Sequence, residues 1–265
     1  MSISKRIIFC LYYQDNHFYL SRNFKLQKVG DLEWLIKNFG FGQTANYIDE
    51  LVVLLVKKNP CKEDFNNFLT TLDNLRKKIF IPLVLGGNIR NIDTVNNYFK
   101  FGADKILVNS SAYDNKKLIQ KISNSYGSQS ISTMIDYKKS DDKINLYSNN
   151  GMKLENISFK NHILNLNNLN CGEIILNSMN NDGNGAGLDD LIINKIPKDI
   201  KKPILLMGGA GKPKHIKEAL NKDQLSGIVT ANLFNFLGTG LEISRNMAIN
   251  SGIKLAKFEK LDLNR

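Results

Sequence analysis

The sequence has little cysteine and little histidine, with three residues of each among 265. Cys10, Cys61 and Cys171 lie far apart and form no CxxC pair. We therefore expect free thiols rather than a disulfide framework or a thiolate metal site. The three histidines are equally scattered, so we expect no metal site. We also expect no cofactor.

Long apolar runs are also missing, and no segment is expected to span a membrane. No signal peptide precedes the first apolar segment, which predicts a cytoplasmic protein. The formal net charge is +11, but the lysines are scattered in runs no longer than a pair. Because no nucleic-acid-binding motif accompanies this charge, we expect no nucleic-acid partner. A basic surface does suit anionic substrates such as phosphates.

Short apolar segments recur along the whole chain, separated by amphipathic stretches such as residues 64–79, 91–102 and 215–224. Apolar strands that alternate with helices indicate a parallel sheet covered on its outer side. Eight such units in about 250 residues match a (β/α)8 TIM barrel. We expect residues 1–265 to form one such domain, with a doubly wound open sheet as the alternative. The predicted strands are residues 7–12, 51–56, 81–87, 105–110, 131–136, 173–178, 203–209 and 227–234.

The two halves of the sequence carry a weak repeat. The segment LGGNIRNIDTVNNYFKFGADKILVNSSA, which begins at Leu85, is echoed by MGGAGKPKHIKEALNKDQLSGIVTANLF, which begins at Met207. The third and fourth predicted strands thus resemble the seventh and eighth, and the first resembles the fifth. This alignment places Tyr12 opposite Asp136 and predicts a barrel built from two similar halves.

Glycine pairs follow the third and seventh predicted strands, at the end of the barrel where (β/α)8 enzymes bind ligands. Bare backbone N–H groups there can approach an anion, helped by the N-terminus of the next helix. We expect two phosphate cups on opposite sides of the barrel, and a ligand with a phosphate at each end. The alternative is that the glycines only make tight strand-to-helix turns. One cup comprises Gly86, Gly87, Asn109 and Ser110, and the other comprises Gly208, Gly209, Ala231 and Asn232.

Further polar residues follow the fifth and sixth predicted strands. Asp136 ends the fifth strand, and Asn177, Asp182 and Gly183 lie on or after the sixth. A carboxylate at a strand end can act as a general acid or base, so Asp136 and Asp182 are candidate catalytic residues. Asn177 and Gly183 are candidate ligand-binding residues. The alternative is a flexible loop in which Asp182 caps a turn, and we expect Asp182 to face solvent.

Taken together, several stretches of the chain resemble the HisF family, the cyclase subunits of imidazole glycerol phosphate synthase, along nearly its whole length. The resemblance implies a half-barrel repeat with two phosphate sites. It also implies a HisH-like glutaminase, docked as a heterodimer partner on the opposite end, whose ammonia passes through the barrel to react at the top. The matching stretches are KRIIFCL, DELVVLL, GADKILVN, GSQSISTMID, GEIILNS, NDG and GGAGK.

The resemblance places the two catalytic aspartates of the family at Tyr12 and Asp182, so the first is lost and the second is kept. The acid of the fifth strand is retained as Asp136, and the asparagine of the fourth as Asn109. Tyrosine has an ordinary pKa of about 10 and cannot act as a general base near neutral pH. Losing one member of an acid–base pair costs on the order of 10²–10⁴ in rate. We therefore expect an enzyme-type subunit with an impaired cyclase reaction.

Three more positions depart from the family. The acid of the second strand falls on Leu55, and by ungapped counting the lysine of the flexible loop falls on Leu20. The third glycine of the first phosphate cup is Asn88. These three positions add to the differences from the family that we expect at the ligand-binding end of the barrel.

Four charged residues stand at the first positions of apolar strands: Arg6, Glu50, Lys105 and Glu173. They are expected to converge as a ring at the lower mouth of the barrel. In the family such a ring gates the ammonia passage, and all four members match. The alternative is that charges at strand starts only cap the barrel. Asp104 and Gln129 match residues that the family uses on its partner-facing side.

An altered upper end beside an intact ring favours an ammonia-conducting subunit that binds a phosphorylated ligand and serves sugar amidination. The stretches KVGD (28–31), GSQS (127–130) and LNS (176–178) resemble a branch of the family that also lacks the first aspartate. That branch accompanies a sugar amidotransferase in the biosynthesis of surface polysaccharides. Two alternatives stay open: the cyclase subunit of histidine biosynthesis, and a non-catalytic phosphate-binding scaffold.

Overall fold

The computed structural model describes residues 4–39, 45–141, 143–231 and 239–256. Within these residues, eight parallel strands close into a barrel because the last strand pairs with the first, where Arg6 lies opposite Gly227. The (β/α)8 fold is confirmed, and the open sheet is excluded. In chain order the strands are β1 (Arg6–Gln14), β2 (His17–Arg22), β3 (Lys25–Gly30), β4 (Glu50–Leu55), β5 (Leu83–Gly86), β6 (Lys105–Val108), β7 (Ile131–Ser140), β8 (Lys143–Ser148), β9 (Lys153–Glu155), β10 (Glu173–Ser178), β11 (Ile204–Met207) and β12 (Gly227–Thr230).

The barrel strands neighbour one another in the order β1, β4, β5, β6, β7, β10, β11 and β12. They are buried along most of their length because apolar side chains face both the lumen and the helices. On β1, Ile8, Cys10 and Tyr12 belong to the cluster of buried side chains inside the barrel. Ile7 and Phe9 belong to the core between the barrel and the helices. This alternation follows from the two-residue period of a strand.

Helices cover the outer face of the barrel. Their apolar residues recur at helical spacing, as in the helix over Lys62–Arg76, which buries Phe68, Leu72 and Leu75. Such an apolar stripe packs against the strands and leaves the polar face in water. The helices are α1 (Leu32–Phe39), α2 (Lys62–Arg76), α3 (Ile92–Lys100), α4 (Ser110–Asp114), α5 (Lys116–Tyr126), α6 (Phe159–Asn168), α7 (Pro213–Leu220) and α8 (Gly240–Asn250).

Two antiparallel hairpins have no counterpart among the predicted strands. The hairpin β2–β3 follows β1, and the hairpin β8–β9 follows β7, which are equivalent positions in the two halves of the barrel. Asn23 and Phe24 turn the first hairpin with φ of 52° and 57°, and Asn149 and Asn150 turn the second with the same angles. Paired positive φ values are typical of type I′ hairpin turns. The matched hairpins support the half-barrel repeat.

The predicted strands extend too far at glycine pairs. The predicted strand at 203–209 is observed as Ile204–Met207, because Gly208 and Gly209 have φ of 97° and 98°. Strand conformation cannot continue through these angles, which favour glycine. Of the predicted strand at 227–234, the structure describes Gly227–Thr230 as strand β12.

Candidate active site

The C-terminal ends of the barrel strands surround an open cavity of about 780 Å³, here called the upper cup. Its lining comes from β1, β4, β6, β7 and β10, the loop after β5 and both hairpins. The cup brings together five of the predicted site residues: Gly87, Asn109, Ser110, Asp136 and Asn177. The structure thus places them at one end of the barrel, as the position of strand ends predicts.

Asp136 lies in the upper cup and is 6% exposed. Its two oxygens each accept one amide hydrogen bond, from Asn177 Nδ2 at 2.7 Å and from Asn109 Nδ2 at 2.9 Å. Burial raises the pKa of Asp136 to about 7, against the hydrogen bond from Asn177 and with a smaller contribution from the charge of Asp182. A carboxyl group that titrates near neutrality can both accept and donate a proton.

The same two asparagines offer hydrogen-bond acceptors. The side-chain carbonyl oxygens of Asn109 and Asn177 are buried and have no hydrogen-bond partner among the residues that the structure describes. Buried polar atoms are normally paired, so an unpaired one in a cavity wall is a candidate ligand contact. These oxygens suit a ligand that presents O–H or N–H groups beside Asp136.

Tyr12 stands at the top of the lumen, where it lines the upper cup and is 8% exposed. Burial raises the pKa of its phenol well above the ordinary value, and Cys10, Asp182 and Asp136 raise it further. The phenol therefore stays protonated at neutral pH and can donate a hydrogen bond, but it cannot act as a general base.

The predicted solvent-facing position of Asp182 is wrong. The residue is 6% exposed, and its Oδ2 accepts hydrogen bonds from Ser21 Oγ at 2.6 Å and from the backbone N–H of Phe24 at 2.8 Å. Burial raises the pKa of Asp182, although both hydrogen bonds act in the opposite direction. The error arises because the hairpin β2–β3, which covers Asp182, is not among the predicted elements.

The first predicted phosphate cup is present in part. Gly87 has φ of 93°, and a Cβ there would lie 2.0 Å from the carbonyl oxygen of Leu55, so this close approach requires glycine. Gly86 instead lies inside β5, where a Cβ would lie 2.6 Å from Leu54 Cδ2. Gly86 therefore packs the sheet, and its predicted contact with a ligand is not supported by its position.

The second predicted phosphate cup is a separate cleft of about 20 Å³, here called the upper cleft. This volume suits about one water molecule. Gly209 has φ of 98°, and a Cβ there would lie 2.0 Å from the carbonyl oxygen of Gly187, so these glycines also make a tight turn. Asn232 lies outside the described residues. The predicted members that line the cleft are Gly183, Gly208, Gly209 and Ala231.

Basic side chains in the upper cup are further candidate ligand-binding residues, which no sequence motif identifies. Arg90 Nη2 donates to Asn149 Oδ1 at 2.7 Å, and Arg90 Nη1 lies 3.3 Å from Asp114 Oδ2. A signal is present in the sequence, since Lys57, Lys58 and Arg90 lie within three residues after a predicted strand. Lys57, Arg90 and Lys153 are each ion-paired with a carboxylate, which reduces the positive charge that they offer to an anion. The basic residues of the cup are Lys57, Lys58, Arg90 and Lys153.

At the opposite end, here called the lower rim, four charged side chains converge. Arg6 pairs with Glu50 and with Glu173, each at 2.6 Å. Lys105 Nζ lies 2.8 Å from Glu50 and 3.5 Å from Glu173. Cations and carboxylates alternate around a closed cycle, as the sequence predicts.

In this ring, the ion pairs outweigh the effect of burial on the pKa of Arg6 and of Glu173. For Arg6, burial alone would lower the pKa, but Glu173 and Glu50 raise it on balance. For Glu173, burial opposes ionisation, but Arg6 and Lys105 lower the pKa on balance. Ser132 Oγ also donates to Glu173 Oε1 at 2.5 Å. The carboxylate of Glu173 and the guanidinium of Arg6 therefore stay charged at neutral pH.

Between the ring and the upper cup, the lumen is apolar. Its buried side chains come from all eight barrel strands, with β5 contributing only Val84. They fill the interior as in other (β/α)8 barrels. Such a lining disfavours ions far more than small neutral molecules. The lumen residues are Ile8, Cys10, Tyr12, Val52, Leu54, Val84, Leu107, Met134, Ile175, Leu205, Met207 and Val229.

The two predicted partner-facing residues lie beside the lower rim. Asp104 is exposed and immediately precedes β6, where its Oδ2 accepts a hydrogen bond from the backbone N–H of Leu83 at 2.8 Å. Gln129 is exposed and lies just before β7. Their position at strand starts is as predicted, while their role at an interface stays a prediction.

Comparison with known proteins decides the family. The family described as histidine biosynthesis protein matches residues 42–239. The chain is 39% identical to a protein of Parasynechococcus marenigrum (strain WH8102), provisionally named imidazole glycerol phosphate synthase subunit hisF2, over 97% of this chain and 95% of that protein. The chain belongs to the HisF family.

Other HisF relatives cover the chain equally well. The imidazole glycerol phosphate synthase subunit HisF of Natranaerobius thermophilus is 30% identical, and that of Clostridium botulinum (strain 657 / Type Ba4) is 34% identical. Both alignments cover 96% of this chain and 99% of the relative. These names agree better with the cyclase alternative than with sugar amidination, which none of them mentions.

The described residues of this HisF-family chain lack two kinds of feature. They contain no group of three or more His, Cys, Asp or Glu side chains that could hold a metal ion. None of their helices combines the length and the apolar character needed to cross a bilayer. Cys10 and Cys171 are buried free thiols, and Cys61 is an exposed one.

Proposed function

We propose that this HisF-family chain is the ammonia-receiving subunit of a glutamine amidotransferase. The observation that carries the proposal is the closed ring of Arg6, Glu50, Lys105 and Glu173 at the lower rim, beneath an apolar lumen that leads to the upper cup. The ring lies at one end of the barrel and the candidate chemistry at the other. The proposal requires a small neutral molecule to cross the packed apolar interior that separates them, an interior that disfavours ions far more.

The ring is proposed to act as a gate. Its four ion pairs close the mouth to water and ions, and breaking one pair would open a path along the axis. The contact between Lys105 and Glu173, at 3.5 Å, is the longest of the four. Lys105 is therefore the member proposed to move, because its flexible stem carries a single point charge.

The ammonia donor is proposed to be a HisH-like glutaminase that binds the lower rim as a heterodimer partner. Asp104 and Gln129 are exposed at this end of the barrel and are available for contact. The names of the HisF relatives as synthase subunits support an assembly with a second protein. Of the parts of the proposed function, this partnership departs least from what the names of the HisF relatives say.

At the upper end, Asp136 is proposed to transfer protons, since its pKa is about 7 and it faces the cup. Gly87, Asn109, Ser110 and Asn177 are proposed to hold a phosphorylated ligand against it. Asp182 is a second candidate catalytic carboxyl, but it reaches a ligand only if its bonds to Ser21 and Phe24 are released. The proposed ligand contacts of the upper cleft are Gly183, Gly208, Gly209 and Ala231.

The ammonia is proposed to serve sugar amidination, together with a sugar amidotransferase that works with the complex. Support comes from Tyr12, a protonated phenol where a cyclase of this family has a carboxylate. The stretches at 28–31, 127–130 and 176–178 support the same branch of the family. The molecule that accepts the ammonia is thus the part of the proposal that differs from what the names of the HisF relatives say.

The second candidate function is the cyclase reaction of imidazole glycerol phosphate synthase. The names of the HisF relatives favour it, and so does the buried carboxyl group of Asp136 in the upper cup. Growth of a cyclase-deficient histidine auxotroph on this gene would establish this function and exclude a sugar-only role. Failure to grow, with the protein expressed, would count against it.

The amidotransferase proposal is tested by mixing the chain with a HisH-like glutaminase from the same genome and separating the mixture by size exclusion. We expect a one-to-one complex at micromolar concentration. Arg6→Ala should weaken the complex or its glutaminase activity, whereas Lys77→Ala, at an exposed ion pair with Asp73, should change neither. Absence of any complex at micromolar concentration would sink the proposal.

A further inference from the structure

Aromatic side chains are exposed on one side of the lower rim. Within the part of the chain that the structure describes, the exposed aromatic residues are Trp34 on α1 and, elsewhere, Phe80, Phe101 and Tyr126. Phe80 lies in the loop before β5, Phe101 follows α3 just before β6, and Tyr126 ends α5 just before β7. These three strands are neighbours in the barrel, and their starts face the lower rim. Phe80, Phe101 and Tyr126, here called the aromatic arc, therefore lie on one side of that rim.

Phe80 is fully exposed and lies on an ordered segment. Its relative exposure is 104%, whereas Ile79 is buried and Ile81 packs against the core. The carbonyl oxygen of Pro82 accepts a hydrogen bond from the backbone N–H of Leu51 at 2.9 Å. A phenyl ring on a fixed backbone loses little conformational freedom on binding and buries a large apolar area. Phe80 thus has the properties of an interface anchor.

The other two members of the aromatic arc are held in place by their neighbours. The ring of Tyr126 stacks on Phe99, with the ring centroids 4.0 Å apart and the ring planes at 19°. The hydroxyl group of Tyr126 donates to Asn96 Oδ1 at 2.8 Å. Arg76 Nη1 donates to the carbonyl oxygen of Phe101 at 3.0 Å, which joins the C-terminal ends of α2 and α3. The aromatic arc is therefore formed before any partner binds.

The aromatic arc is continuous with the two residues that are proposed to face a partner. Asp104 follows Phe101 by three positions, and Gln129 follows Tyr126 by three positions. Both polar residues are exposed. Single exposed apolar side chains are ordinary, but a group of them rimmed by polar residues is typical of a protein interface. The arc and these two residues thus form one candidate docking surface.

The opposite side of the lower rim has a different character. There β12 lies across the barrel from β6, and the loop before its neighbour β11 exposes Lys198, Asp199 and Lys201. Solvent-exposed charges contribute little to affinity and act mainly on the rate of association. We therefore expect most of the binding energy of a partner on the lower rim to come from the aromatic arc.

We propose that the aromatic arc anchors the glutaminase subunit and sets the affinity of the complex, while the charged ring governs the turnover of glutamine. The inference rests on the proposed function, because the partner is the proposed glutaminase. This partner fits the position of the arc, since Lys105 of the ring starts β6 only four positions after Phe101. The glutaminase is expected to present an apolar recess for Phe80.

The test measures two quantities on the chain with a HisH-like glutaminase from the same genome: the Kd of the complex by calorimetry, and glutamate release at saturation. Phe80→Ala should raise Kd about tenfold or more and keep the turnover at saturation within about twofold of the wild type. Arg6→Ala should lower that turnover by a larger factor than it raises Kd. Tyr126→Ala should raise Kd less than Phe80→Ala does, and Tyr126→Phe, which keeps the stacked ring, should restore it.

Matched controls separate loss of the anchor from loss of the fold. Because the side chain of Phe80 is fully exposed, Phe80→Ala should keep the thermal unfolding midpoint of the chain alone. Leu154→Ala removes an apolar side chain that is 59% exposed on β9, at the other end of the barrel. This control should change Kd less than about threefold.

Two results with an intact wild-type complex would overturn the inference and leave the proposed function standing. One is a Kd for Phe80→Ala within about threefold of the wild type. The other is a turnover at saturation that Phe80→Ala lowers as strongly as Arg6→Ala does. A chain that dimerises alone in sedimentation, and that Phe80→Ala makes monomeric, would assign the arc to a second copy and also overturn the inference. Absence of any complex with the wild-type chain would instead contradict the proposed function, and the inference with it.

Discussion

At Asp136, burial and the hydrogen bond from Asn177 act in opposite directions on the pKa of one carboxyl group. Burial prevails, and the pKa of Asp136 rises to about 7. In the unfolded chain this carboxyl group ionises near pH 4. Below that pH it is protonated in both states. As the pH rises from about 4 to about 7, the unfolded state loses its proton first, so Asp136 progressively destabilises the folded protein.

Asp136→Asn is therefore expected to stabilise the fold at pH 8, by on the order of 2–4 kcal/mol. The amide of the new residue can rotate to pair with the neighbouring asparagines. The gain should be smaller at pH 5, because less of the ionisation penalty applies there. Urea denaturation of both proteins at the two pH values measures the difference, and Asp93→Asn serves as an exposed control. An equal gain at both pH values would contradict this account.

Lys105 illustrates how a ring of charges depends on every member. Lys105→Met would leave Glu50 and Glu173 with Arg6 alone, and the lost pairing should cost about 2–4 kcal/mol of unfolding free energy. The cost is expected to fall when the pH is lowered enough to protonate the carboxylates. Thermal unfolding between pH 4 and pH 8 provides the measurement.

The control for this variant is Lys77→Met, whose ion pair with Asp73 is exposed and worth only about 0–1 kcal/mol. If the two substitutions cost the same, the ring would contribute no more than an ordinary surface pair. A pH-independent loss for Lys105→Met would lead to the same conclusion.

At the scale of elements, the docking of the hairpin β2–β3 depends on the loop after β10. Gly183 has φ of 66°, and a Cβ there would lie 2.4 Å from the carbonyl oxygen of Ser21 and 2.6 Å from Arg22 Cα. Both contacts are to backbone, which cannot move without displacing the hairpin.

Gly183→Ala should therefore lower the unfolding free energy by about 2–4 kcal/mol, from the left-handed backbone and the clash together. Gly185→Ala in the same loop is the matched control, since φ is 69° but the nearest atom to its Cβ is Gly211 Cα at 3.6 Å. Chemical denaturation should show a clearly smaller loss for the control. Equal losses would mean that the hairpin is not packed against Gly183.

The elements differ in how well the sequence predicts them. The run ELVVLL of β4 is buried throughout, so its continuous apolar character identifies a barrel strand. By contrast β3, KLQKVG, is mostly exposed and lacks that signal, and the hairpin that it completes is not predicted. The charges at strand starts could be placed because the strand that each precedes is clear. Asp182 could not, because its burial depends on contacts with Ser21 and Phe24, distant in sequence.

At the scale of the whole molecule, the two ends of the barrel have diverged to different degrees from the HisF pattern. The lower rim has its four charges in a closed cycle. At the upper end, Tyr12 and Leu55 stand where the resemblance places acids of the family. In the proposed function, the lower end faces a protein partner and the upper end faces a ligand. A retained partner with a changed ligand would produce this asymmetry.

The central claim is that the lower rim receives ammonia from a glutaminase, and steady-state turnover of glutamine tests it most directly. A HisH-like glutaminase from the same genome is measured alone and with the chain, using glutamate release as the readout. The account predicts a several-fold rise in turnover with the wild type, and a reduced rise with Arg6→Ala at a concentration that saturates the complex. Unchanged turnover in the presence of the wild-type chain would contradict it.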